Sequence, residues 1–232
     1  MSLRNLLSRR EFIVVAGTAG AGALAACSRA EKPMAVVDNP VEVLARQHAV
    51  VYRADGILEE IRGGIDARMD LSPELLGGTV ELIRPFVAEH NQLEEKHIYP
   101  VFEAAGKMSG LLGVLREQHA AESRLIEIMR ELYAGFSSKD LEKRRTMGYA
   151  IHLFTRLNRA HSEREDTVLV PLMRRIMTPN SYAELGSTLL RAETEWLGQN
   201  GFDETVGKLA DFENALGIGD LASFTPGNDD LN

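Results

Sequence analysis

Two stretches of this 232-residue sequence carry a histidine followed four residues later by a glutamate: His90 with Glu94, and His161 with Glu165. Each is preceded, 42 residues upstream, by another histidine, His48 and His119 respectively. A translation of 71 residues relates the two sets. It carries Leu44-Ala45-Arg46-Gln47-His48-Ala49 onto Leu115-Arg116-Glu117-Gln118-His119-Ala120, and Arg53 onto Arg124. It also carries His90, Glu94, Glu95 and Pro100 onto His161, Glu165, Asp166 and Pro171. A unit repeated with its spacing intact is the mark of a duplicated structural element.

The chemistry follows from the residue types. Side chains four apart on a helix lie on one face, one turn apart. Each His-x-x-x-Glu pair therefore points in one direction. An inward carboxylate without a partner is costly. Two of them with four imidazoles at matched depth are best explained by a cation. Nitrogen and carboxylate donors suit iron, manganese or zinc better than calcium or magnesium. Two shared glutamates and two histidines per ion would leave positions open for water, a bridging oxide or oxygen.

The elements that must position these residues are helices. From Val41 the apolar residues recur at helical spacing: Val41, Leu44, Val51, Leu58, Ile61 and Ile65 share a stripe with His48 and Asp55. This first helix fades near Gly63-Gly64. Ser72-Pro73-Glu74 predicts the start of a second, running to about Ala105 with Gly106 as its stop and Pro85 as a bend or break. A third spans about 110–134 and stops at Gly135. Ser137 or Ser138 is the expected cap of a fourth, which continues to about Met177. Ser181-x-x-Glu184 reads as a capping box for a fifth helix through Leu197, and a weaker sixth covers about 203–215. The tail from Thr225 is polar and read as disordered. No strand alternation is present. The expected fold is all-α: an antiparallel up-down-up-down four-helix bundle over 41–177, with a C-terminal helical extension over 178–232.

The constellation resembles the hemerythrin-like (HHE cation-binding) family over about residues 41–177. The resemblance implies a non-haem di-iron centre with two iron ions, or manganese or zinc in their place. It assigns His48, His90 and Glu94 to one ion and His119, His161 and Glu165 to the other, both glutamates bridging. The sequence departs from the oxygen-carrying members where they place a second third-helix histidine: Ser123 stands there. Those members also place the fourth-helix carboxylate where Asp166 stands. The site is nearer the HHE subgroup, and reversible oxygen transport is not implied. The resemblance implies a protein that binds or senses oxygen or a related small oxidant. The alternatives are a di-iron peroxidase, oxidase or nitric oxide-reducing enzyme, and passive storage or delivery of iron or zinc. No dedicated nucleophile or substrate motif supports the catalytic alternative.

Residues 1–27 read as an address. Ser8-Arg9-Arg10-Glu11-Phe12-Ile13 resembles the twin-arginine signal, which implies the twin-arginine (Tat) export machinery as a partner. Leu24-Ala25-Ala26-Cys27 resembles a lipobox. Lipidation of Cys27, the one cysteine, would anchor the chain to a membrane through residues 28–40 as a tether, on the periplasmic side of the envelope. The net charge of −8 provides no basic footprint for nucleic acid.

Other residues receive plainer readings. Glu95 and Asp166 are second choices as ligands, with a hydrogen bond to a ligand as their other role. His97 is a core residue or supports a ligand, and His152 lies at the surface. Glu122 is an exposed flanking charge, with an extra metal oxygen as its alternative. Tyr52 packs inward. Glu142-Lys143-Arg144-Arg145 forms a solvated face. Trp196 packs the extension on the bundle. Pro100 and Pro171 kink the helices just past the site.

Overall fold

The structure, a computed structural model, describes residues 39–69, 72–134, 136, 137 and 139–225. The address segment, most of the tether, the tail beyond Thr225, and the expected stop Gly135 and cap Ser138 lie outside the described residues.

The described chain is helical, and no strand occurs among the described residues. Helix α1 spans Pro40–Asp66 and α2 spans Pro73–Leu93. A single π-helical turn, Glu94–Ile98, joins α2 to the short α3, Tyr99–Ala104. Helix α4 spans Ser109–Tyr133 and α5 spans Leu141–Arg164. A second π turn, Glu165–Leu169, joins α5 to α6, Val170–Ile176. Helices α7 (Pro179–Leu197) and α8 (Gly201–Leu216) form the extension, followed by a 3-10 turn, Leu221–Phe224.

Local chemistry explains most of these boundaries. Asn39 accepts from the Val41 N–H and Ser72 from the Leu75 N–H, each with proline at the first helical position, where its missing N–H costs nothing. Two expected caps are corrected. Asp140, not Ser137, caps α5 by accepting from the Lys143 N–H at 3.0 Å. Thr178, not Ser181, caps α7, and Ser181 supplies the N–H that Thr178 accepts. Pro85 does not break α2, which runs through it. Gly217 ends α8 at φ 75°, a left-handed conformation that glycine adopts without a Cβ clash.

Helices α1, α2, α4 and α5 close a ring. Helix α1 packs on α2 and α5, α4 packs on α2 and α5, and short connections make sequential neighbours antiparallel. The extension covers one side, α7 against α1 and α8 against α1 and α2. Trp196 seats it, its ring 5.0 Å from that of Phe86.

The core has two apolar parts. One is built around Ile57, Leu58, Ile61, Leu76, Met129 and Phe154. The other gathers Leu44, Phe102, Leu112, Leu115, Met173 and Leu189. Each fully buried aliphatic side chain stabilises the fold by roughly 1.5–3 kcal/mol. Along every bundle helix the histidine falls between the two parts, so the repeated unit forms a polar layer enclosed by hydrocarbon. The stretch Glu142–Arg145 is not wholly solvated. Arg144 is buried and donates to the Gly64, Ile65 and Met69 carbonyls at the end of α1.

Candidate metal centre

The six residues singled out by spacing converge in that polar layer. His48, His90, Glu94 and Glu165 form one group and Glu94, His119, His161 and Glu165 a second; in each, the donor atoms lie within 4.8 Å of one another. All six side chains are buried. Both glutamates belong to both groups, and the histidines divide two and two. The division follows the bundle: His48 and His90 stand on adjacent helices α1 and α2, and His119 and His161 on adjacent α4 and α5.

The distances suit a shared cation. His90 Nε2 lies 3.5 Å from Glu94 Oε1, His119 Nε2 3.3 Å from Glu94 Oε2, and His161 Nε2 3.3 Å from Glu165 Oε2. His48 Nε2 lies 3.5 Å from Glu165 Oε2 and 3.7 Å from Glu94 Oε1. Donors each about 2.1 Å from one ion stand roughly 3.0–3.4 Å apart at right or tetrahedral angles. His48 Nε2, Glu94 Oε2 and Glu165 Oε2 are buried without a hydrogen-bond partner among the described residues. Such orphaned atoms are costly unless a cation takes their lone pairs.

All four imidazoles are oriented from behind. The Nδ1 atoms of His48 and His119 meet Asp166 and Glu95 at 2.9 and 2.7 Å. Those of His90 and His161 meet the amide oxygens of Gln47 and Gln118 at 2.8 and 3.1 Å. Each such contact directs Nε2 to the centre. The supports obey the same translation of 71 residues as the ligands. Glu95 and Asp166 were legible as supports. Gln47 and Gln118 stand beside the histidines in the repeat, and that was the available signal for their role.

The π turns also repeat. Tyr99 N–H bonds to Glu94 O, and Val170 N–H to Glu165 O, five residues back in each case. Pro100 and Pro171 follow directly. A proline lacks the N–H of a helical bond and crowds the carbonyl four residues back, so a widened turn accommodates it. These prolines are thus tied to π turns at the glutamates. The extra residue changes what faces inward. In an unbroken α-helix Tyr99 would lie about 180° from His90; the π turn rotates it back by roughly 100°. Tyr99 is fully buried, its hydroxyl 3.0 Å from Glu165 Oε1 and 3.2 Å from His119 Nε2. Helical periodicity missed it for that reason. His97 is turned the other way: it is half-buried near Lys96 and Arg191, and does not support a ligand.

Two further readings are corrected. Glu122 is not exposed; it is 2% accessible and accepts from Asn91 Nδ2 at 2.9 Å. Tyr52 is exposed rather than packed inward, with its hydroxyl 3.3 Å from Asp166 Oδ2. Asp55, on the apolar stripe of α1, is buried and accepts from Asn158 Nδ2 at 3.1 Å. His152 is at the surface, as read. Ser123 bonds back to the His119 carbonyl at 3.1 Å and offers nothing to the centre.

Electrostatics match a site built for positive charge. Burial, helped by the His48 and His161 charges and opposed by Glu94 and Glu165, pushes His90 down to about 4. Burial also depresses His119, but Glu94 and Glu95 outweigh it and lift it to about 9. Asp166, Glu165 and Glu94 likewise lift His48 above the usual range against burial. Burial opposes the Glu94 charge, yet the surrounding histidines hold its carboxyl well below the usual range. In the metal-free protein, protons on His48 and His119 offset the Glu94 charge.

Asp55 behaves oppositely: burial raises it to about 8. An acid raised on folding contributes stability at low pH that is lost as pH climbs from its unfolded value near 4 through about 8. Asp55→Asn keeps an acceptor for Asn158 and removes the ionisation. The variant is expected to melt higher than the parent at pH 7 and to flatten the decline between pH 4 and 8, measured by thermal melting against pH. An unchanged profile would contradict this.

Comparison with known proteins agrees with the geometry. The Hemerythrin HHE cation binding domain matches residues 39–185. Uncharacterized proteins of Mycobacterium tuberculosis and Mycobacterium bovis are 33% identical to the chain over 236 aligned residues, covering 95% of it and 91% of each relative. No solved structure matches the chain significantly. With two interlocked groups of buried histidine and glutamate at the midpoint of a helical bundle, the chain belongs to the hemerythrin HHE cation-binding domain family.

Proposed function

We propose that this is a non-haem di-iron protein that binds or senses dioxygen or a related small oxidant outside the inner membrane. The observation that supports the reading is the sharing of Glu94 and Glu165 by two histidine pairs. Each ion would be held by two imidazoles and the two shared glutamates, a donor set that would fill a four-coordinate zinc and leave positions open on iron. A pair of ferrous ions would supply reducing electrons and open positions for a small oxidant. The chain's own part is to hold the four imidazoles by their Nδ1 atoms, to keep water out with the two apolar cores, and to place the Tyr99 hydroxyl where it can give a proton or a hydrogen bond beside Glu165.

Anaerobic loading with Fe(II), followed by optical titration with dioxygen, tests this. Two irons per chain and a new visible absorption that saturates near one dioxygen per chain are expected; no spectral change would reject the oxidant reading. Turnover with peroxide or nitric oxide, abolished in His161→Ala, would establish an enzyme instead. Loss of metal to weak chelators would establish storage or delivery.

Metal uptake should be linked to protons. Coordination needs neutral imidazole, and the metal-free protein holds His119 protonated up to about pH 9. A histidine raised on folding stabilises the metal-free fold at pH below the ordinary 6.5, and that stability is lost as pH rises through about 9. Affinity for Zn(II), used as a redox-inert probe, is therefore expected to rise from pH 6.5 to 9 while metal-free stability falls. Calorimetry in buffers of different ionisation enthalpy should register proton release on binding. A pH-independent affinity would contradict the arrangement.

The export reading rests on Ser8–Ile13 and Leu24–Cys27. Among the described residues no helix is long and apolar enough to cross a membrane. Replacing Arg9 and Arg10 by lysine is expected to trap the protein inside the cell, and Cys27→Ser to release it from membranes on fractionation. Export unaffected by the lysines would dismiss the twin-arginine route.

A further inference from the structure

The 71-residue translation relates not only the ligands but the outer faces of the two helix pairs, and the two faces are treated differently. The α1–α2 face is covered by the extension. There Arg53 is held by Glu213 of α8 through two bonds at 2.8 and 2.5 Å, and Gln47 donates its amide to Glu193 of α7 at 2.7 Å. Glu193 also pairs with Arg46. Phe86 lies under Trp196. Ile57, in the middle of this face, is 0% accessible.

The α4–α5 face carries the translated residues and has no cover among the described residues. A groove of about 550 Å³ runs along it. Five of its lining positions translate onto like residues of the covered pair: Gln118 onto Gln47, Arg124 onto Arg53, Ile128 onto Ile57, Leu153 onto Leu82 and Leu157 onto Phe86, while Arg156 falls on Pro85. Ile128 is 41% accessible where Ile57 is closed. Arg124, and Arg156 beside it, have no carboxylate within ion-pairing distance among the described residues, and no acceptor takes the Gln118 amide there. Apolar lining between unpaired guanidinium groups marks a recognition surface rather than a solvated one.

We propose that the α4–α5 groove is a docking site for an amphipathic helix of a partner protein, one that presents carboxylates beside its apolar stripe. The occupant is defined by what the equivalent face accepts. Helices α7 and α8 bring apolar residues for the groove, one glutamate for the arginine and one for the glutamine. A second copy of this chain docked face to face would set Arg124 and Arg156 against their own counterparts, so like charge disfavours it. The position of Gln118 gives docking a consequence. Its oxygen holds His161 Nδ1 at 3.1 Å, so a carboxylate on its amide would fix that imidazole as Glu193 does for His90 through Gln47. This inference stands on the duplicated surface and does not require the oxidant reading.

The probe is a synthetic peptide of residues 179–216, titrated into the full metal-loaded chain and followed by fluorescence anisotropy and by the NMR signal of the Gln118 side-chain amide. Binding with Kd below about 100 μM is expected. Ile128→Glu, an exposed position whose change leaves the core intact, should weaken it at least about 10-fold, and the Gln118 amide should shift in the parent alone. Arg124→Glu should weaken it similarly, with recovery when the peptide carries Glu213→Arg. No binding at about 1 mM peptide overturns the proposal. So does binding that Ile128→Glu leaves unchanged, which would mean exchange at the α1–α2 face. A dimer of the full chain that Ile128→Glu dissociates would also overturn it, in favour of a second copy.

Discussion

Glu94→Ala is expected to abolish both metal positions at once, whereas His48→Ala removes one. Glu94 Oε1 faces His48 and His90, and its Oε2 faces His119, so the carboxylate stands between the groups. Losing it strips a ligand from each and also removes one of the two negative charges that offset cationic metal. A support behind a ligand is typically worth 10–100-fold in metal affinity, so loss of a shared ligand should exceed about 100-fold. Elemental analysis after mild purification should give about two metals per chain for the parent, about one for His48→Ala, and well below one for Glu94→Ala. Glu122→Gln is the control: Glu122 bonds to Asn91 and belongs to neither group, so its content should remain that of the parent. Two metals retained in Glu94→Ala would sink the assignment. Loss in Glu122→Gln would make Glu122 a ligand.

Arg144→Ala is expected to be the most destabilising single change outside the cores and the site, by about 3 kcal/mol. The last carbonyls of a helix have no partner within it. Those of α1 are covered by α5, and the guanidinium meets Gly64 and Ile65 at 3.3 and 2.6 Å and reaches Met69 at 3.2 Å. Alanine removes these bonds and leaves a void that water enters poorly, with Gly64 O keeping only the Met69 N–H and Ile65 O the Arg68 N–H. For a chain of this size the loss corresponds to a fall in Tm of roughly 6–12 °C. Arg144→Lys keeps the charge but not the planar fork, and should recover only part of it. Thermal melting of the full chain decides. A fall of less than about 2 °C for alanine would mean the carbonyls are satisfied by solvent.

The sequence by itself determined the metal-ligand candidates and the helices that carry them. Four-residue spacing aligns a histidine with a glutamate whatever the surroundings, and internal translation distinguishes a built site from scattered histidines. Helix starts marked by a capping side chain and proline, as at Ser72-Pro73, are equally local. Tertiary structure decided what distant elements supply. Glu122 and Arg144 look like surface charges on their own helices and are buried because α2 and the end of α1 bring Asn91 and backbone carbonyls to them. Tyr99 enters the site because a π turn adds a residue to the helical count, and regular periodicity cannot register that shift. The unlike fates of Ile57 and Ile128, equivalent under the repeat, follow from where α7 and α8 fold back. Direction relative to a residue's own helix is written in local spacing; burial depends on which other part of the chain arrives to cover it.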